Sequence, residues 1–184
     1  MGRGVGGAPI PATMIPLNLE YALNQAAEER WKREQDYFDA VEYSSTAIPA
    51  ATIERYRKCS KPFLVAENPF HTLGNLTGKR VLEIGCGDGG NSVLLSLRGA
   101  RQVVGIELCT KAVEAARKRA KAHGLSEDQI RFVNAPLEQF LADNPTEKFD
   151  VICGWAVLHH VLPVLGEVMT QLRSLGHADP LSLC

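Results

Sequence analysis

The sequence predicts an α/β fold in which a parallel sheet carries helices on both faces, and three observations predict it. From residue 78 onward short apolar runs alternate with amphipathic stretches. The first run, Val81-Leu-Glu-Ile84, empties into a glycine loop, Gly85-Cys-Gly-Asp-Gly-Gly90, and the second run closes on an acid, Glu107. Strand–helix units of this length need crossover connections, which are right-handed and lay helices on both faces of a parallel sheet.

Residues 1–16, with four glycines and three prolines, bury too little to offset their entropy and read as a disordered leader. A helical cap over 17–77 follows. Its first helix runs from Leu17 to about Val41, with Leu23, Ala27, Trp31 and Phe38 on one stripe and charges around it. Two shorter helices are expected near 53–58 and 62–73, before Thr77-Gly78 breaks the run. The cap either covers the mouth of a cofactor site or packs on the sheet edge.

The core, 78–175, then reads strand 80–84, helix 91–98, strand 102–107, helix 110–123, strand 130–133, helix 137–142, strand 149–154 and a helix near 163–175. Thr110 is the expected N-cap of the second of these helices. Only about four strands are encoded. The tail, 176–184, reads as irregular, so the last strand is left as an edge open to self-association, or the chain is a shortened form of a longer protein.

A length of 184 residues suits about one domain. The net charge of -1 supplies no global field for nucleic acid or anionic membrane, so neither partner is expected. No window approaches the roughly 18 apolar residues of a membrane helix. Five cysteines, an odd number without a CxxC pair, read as reduced thiols of a cytoplasmic protein, and no metal site is expected.

The glycine loop implies a nucleotide-like ligand, because backbone N–H groups and the positive end of a helix meet it without an intervening Cβ. Gly85, Gly87 and Gly90 satisfy G-x-G-x-x-G, and Glu107 lies 20 residues past Gly87, where it can accept hydrogen bonds from a ribose diol. That spacing keeps an NAD(P)-dependent oxidoreductase open as an alternative. Against it, Glu83 two residues before the first glycine would repel a pyrophosphate, and it favours a nucleoside that carries positive charge.

Val81-Leu-Glu-Ile-Gly-Cys-Gly-Asp-Gly-Gly90, Val103-Val-Gly-Ile-Glu-Leu108 and Phe149-Asp-Val-Ile-Cys-Gly-Trp-Ala-Val-Leu-His-His160 resemble the first, second and fourth motifs of class I S-adenosylmethionine-dependent methyltransferases. The resemblance covers about residues 78–172 and implies a Rossmann-like domain, S-adenosylmethionine as cofactor and a small-molecule methyl acceptor. It further implies that Glu83 helps hold the methionine amino end, that Gly85, Cys86 and Gly87 form the cofactor loop, that Glu107 binds the ribose diol and that Leu108 packs on adenine. The third motif departs from the family. Pro136 stands at about the place of an acid that would meet the adenine amino group, which leaves Asn134 or the backbone N–H of Leu137 to read it.

Trp155 reads either as core or as a ring facing the sulfonium or acceptor. His159 and His160 read either as the polar end of a strand or as a base for an acceptor hydroxyl, a role many methyl transfers do not require. Glu138 reads as first-turn helix charge. Lys111, Arg117, Lys118, Arg119 and Lys121 read as a solvated helix face. A second alternative is a non-catalytic remnant that keeps cofactor binding without the later strands.

Overall fold

A computed structural model describes residues 17–58, 68–157, 170 and 181–183. Element order is α1 (Leu17–Asp39), α2 (Ala50–Lys58), α3 (Asn68–Thr72), β1 (Arg80–Ile84), α4 (Gly90–Leu97), β2 (Gln102–Glu107), α5 (Thr110–Ala122), β3 (Ile130–Asn134), α6 (Leu137–Asp143), β4 (Val151–Gly154) and β5 (Leu181–Leu183). The strands pair in the order β3-β2-β1-β4-β5, all parallel, with Val81 opposite both Val103 and Val151. The order reverses at β1, so the carboxyl ends of β1 and β4 flank the crevice where ligands bind in such sheets.

Strand period two divides the core between the faces. Val81, Val103, Val151 and Cys153 pack toward α4 and α5 with Phe70, Leu73 and Leu76. Leu82, Ile84, Val104, Ile106 and Ile152 pack toward α6, against Leu137, Phe140 and Leu141. Each such aliphatic side chain, fully buried, contributes about 1.5–3 kcal/mol, which fixes register because a one-residue slip would exchange the faces.

The Rossmann-like α/β expectation and the N-terminal helices hold. The tail does not read as expected: residues 181–183 form a fifth strand with Ile152 opposite Leu181, so the edge of β4 is paired rather than bare. Three residues are too few to show a periodicity, and only the neighbouring strand defines them. The N-cap of α5 is Cys109 rather than Thr110, its sulfur accepting from the Ala112 N–H. The 1–16 leader and most of the expected 163–175 helix lie outside the described residues.

Candidate functional site

The glycine loop owes its path to two positions. At Gly85 φ is 66°, and a Cβ would stand 2.7 Å from Val157 Cγ2. At Gly89, the N-cap of α4, φ is 74° and a Cβ would meet Ala116 at 2.7 Å and Phe132 at 2.9 Å. Any other residue at either place combines left-handed strain with a clash. At Gly87 the corresponding space is empty, so the backbone stands open to the cleft.

Glu107 sits beside the loop on the same wall, at the end of β2. One carboxylate oxygen accepts from the Gly87 N–H at 3.0 Å and the other from the Cys109 N–H at 2.9 Å. A carboxylate has about four lone-pair sites, so two remain for a ligand after the backbone has fixed its plane. Gly85, Gly87, Ile84, Ile106, Glu107 and Leu108 line a cleft of about 270 Å³, continued by Ala135, Pro136, Leu137, Trp155 and Val157.

Glu83 is placed elsewhere. Its side chain shares the α4 face with Val81, is 1% exposed beneath the loop, and accepts a short hydrogen bond from the Ser92 hydroxyl. Burial raises its pKa from 4.5 to about 8, with Glu107 and Asp88 adding repulsion while the bonds from Ser92 and Asn91 work in the opposite direction. It ties β1 to α4 beneath the loop, burial favouring its neutral form, and it does not line the cleft. Period two could have shown this, since it puts residues 81 and 83 on one face.

Cys86 is likewise buried behind the loop, its thiol pushed well up by burial and then by the nearby carboxylates, so it is neither cleft wall nor nucleophile. Asn134 is exposed and donates to the carbonyls of Glu107 and Leu108, at 3.1 and 2.8 Å; it clips the β2–α5 turn and is absent from the cleft wall. Leu108, Leu137 and Trp155 do reach the wall. Trp155 also stacks on Phe70, with ring centroids 5.1 Å apart, so core and cleft readings both apply. His159 and His160 lie outside the described residues.

The residues that sequence reasoning missed come from the cap. Arg30, Trp31, Glu34, Phe38 and Tyr43 close the open side of the cleft. The apolar stripe that holds Trp31 and Phe38 was the available signal. Arg30 pairs with Glu138 across the cleft, Gln35 donates to Thr110 at 3.1 Å, and Asp39 accepts from the Cys109 thiol and the Lys111 N–H. Tyr43 donates to the Phe38 carbonyl at 3.0 Å. Burial, the Cys109 contact and nearby Glu107 and Asp39 push its phenol up, so it remains protonated.

The basic face of α5 differs from expectation at Arg119. Arg119 is 9% exposed and holds Asp88, while Arg117 donates to the Phe132 carbonyl at 3.1 Å. Only the Arg119 guanidinium is buried, while Lys111, Arg117, Lys118 and Lys121 stay exposed as expected, and the hydrogen bonds Arg119 makes are invisible to helical periodicity.

Residues 81–176 match a family described as a methyltransferase domain. A ubiquinone biosynthesis O-methyltransferase of Bordetella parapertussis is 38% identical over 91 residues, 49% of this chain and 35% of that protein. One of the same name from Psychrobacter arcticus is 32% identical over 138 residues, 75% of this chain and 51% of that protein. The chain thus spans about a third to a half of the length of these curated relatives. Among solved structures, magnesium protoporphyrin IX methyltransferase from Synechocystis PCC 6803 with bound SAM shares the fold at a TM-score of 0.53 and 22% identity, over 80% of this chain and 72% of that one.

Proposed function

The chain belongs to the methyltransferase-domain family, and from that premise we propose that its cleft binds S-adenosylmethionine for methyl transfer to a small-molecule acceptor. The observation that carries the reading is the Glu107 carboxylate, fixed by two backbone N–H groups with two lone-pair sites unused, facing a backbone that is bare at Gly87. The donor set suits a nucleoside. Two hydroxyls of a ribose can share one carboxylate by charge-assisted bonds, and Leu108, Pro136 and Leu137 offer apolar walls to a base.

When bound, S-adenosylmethionine supplies a methyl group already activated on a sulfonium. The protein's part is then positioning. Glu107 sets the ribose, and the Gly85–Gly87 backbone lets the remainder approach. Trp31, Phe38 and Tyr43 exclude water from the cleft, where a dry and aligned pair of reactants gains most of the rate. Glu83 acts through the loop, by holding Ser92 and so the start of α4.

The names of the relatives favour an oxygen acceptor. A cytoplasmic setting accords with the free thiols Cys86, Cys109 and Cys153. Isothermal titration tests the reading: S-adenosylhomocysteine and S-adenosylmethionine bind while NAD(H) gives no heat. NAD(H) binding with both sulfur nucleosides silent would reverse it. A methyl-acceptor screen, on this chain and on one extended past Cys184, then reads turnover.

A further inference from the structure

Helix α5 is a seam between the glycine loop and the cap. At its start, Asp39 of α1 accepts from the Lys111 N–H at 3.2 Å. At its far end, the His123 ring nitrogen accepts from the Ile48 N–H at 2.7 Å. Between them Arg119 uses one guanidinium on both structures at once. Nη2 lies 2.7 Å from an Asp88 carboxylate oxygen and 2.7 Å from the Ser44 carbonyl, while Nε donates to the Asp88 carbonyl at 3.1 Å.

Asp88 stands between Gly87, which faces the cleft, and Gly89, which caps α4; its other oxygen accepts from the Gly90 N–H at 3.3 Å. Ser44 directly follows Tyr43, a cleft wall from the cap. Any movement of the loop therefore moves the anchor of the cap. A planar, multiply donating guanidinium can hold three acceptors in fixed relation, and a lysine ammonium on a flexible stem cannot.

We propose that Arg119 is a positioning residue that couples the shape of the glycine loop to the seating of α1 and Tyr43 over the cleft, so that filling the loop closes the cap. The part that concerns ligand rests on the S-adenosylmethionine reading above. The mechanical part does not.

Hydrogen–deuterium exchange followed on segments 30–43 and 85–92 separates them. In the native chain S-adenosylhomocysteine slows exchange in both segments. In Arg119→Lys and Arg119→Gln the ligand still slows 85–92 but no longer slows 30–43, and affinity falls roughly tenfold, the scale of one lost charge-assisted bond. Asp88→Asn, which alters only the loop side, raises exchange in 30–43 without any ligand. It also serves if the Arg119 variants fail to fold.

The coupling is overturned if Asp88→Asn leaves 30–43 at native exchange, or if folded Arg119 variants show ligand protection of both segments. A native chain that does not respond to S-adenosylhomocysteine, combined with the expected Asp88→Asn effect, would sink the cofactor reading and leave the coupling standing.

Discussion

The strand tips and the cap build opposite walls of one cleft by different means. On the core side the wall is set mainly by backbone: glycine dihedrals, strand register and two N–H groups on Glu107. On the cap side it hangs on side chains, through Arg30 with Glu138, Asp39 with Cys109, Gln35 with Thr110 and Ser44 with Arg119. Backbone geometry costs a whole strand to disturb, whereas each of these side-chain contacts, including the partly buried Arg30–Glu138 pair, is a single bond worth about 1–3 kcal/mol. The cofactor wall is thus the stiffer half, adjusting only slightly as it fills, and the cap is the half that can part to admit ligand.

The sharpest way to break that contrast is to distort the rigid half. Gly89→Ala adds left-handed strain and presses on Ala116 and Phe132, at a cost of roughly 2–4 kcal/mol. The expected outcome, read by calorimetry, is a melting temperature lower by about 5–15 °C together with lost nucleoside binding. Unchanged melting would mean that the loop is not the fixed element.

Beneath the loop, Glu83 makes the rigid half sensitive to pH. Its pKa is raised from 4.5 to about 8 on folding, so the folded state holds a proton that the unfolded chain gives up. The favourable contribution is complete below about 4.5 and is lost progressively as pH climbs to about 8. Glu83→Gln keeps an acceptor for Ser92 and cannot ionise. Melting curves of native and variant chains should agree near pH 4.5 and diverge toward pH 8, with the variant more stable by about 5 °C or more. Parallel curves would show that the acid is ionised in the fold.

The smallest effect belongs to the cap. Glu138→Gln keeps an acceptor for the partly buried Arg30 and removes the charge, for a loss of about 1–2 kcal/mol and about 2–6 °C in melting. S-adenosylhomocysteine should leave faster in stopped-flow displacement while its association rate stays within about twofold, as interface changes mostly alter dissociation. A native dissociation rate would place the cap outside ligand retention.

The same division governs how much could be read from sequence. The rigid half is local: Val-Leu-Glu-Ile and Val-Val-Gly-Ile-Glu declare buried strands, and Glu107 was legible because a strand end and a glycine loop fix it to within a residue. Two of the expected site residues near the loop lie behind it: Glu83 because period two puts it on the face of Val81, and Cys86 because the loop turns its side chain into the same core, and motif matching ignores facing. The cap depends on partners far along the chain. Arg119 reads as a surface cation until the Ser44 carbonyl, 75 residues away, is seen beside it. Leu181–Leu183 is a strand only because β4 offers an edge in register.

A grip of Glu107 on a ribose diol should vanish in Glu107→Gln, and titration with S-adenosylhomocysteine reads it. The amide retains one oxygen for the backbone and loses the charge. The expected affinity is about 100-fold below native, near 2.7 kcal/mol, with melting lowered by no more than about 4 °C. Native affinity in a folded Glu107→Gln chain would contradict it.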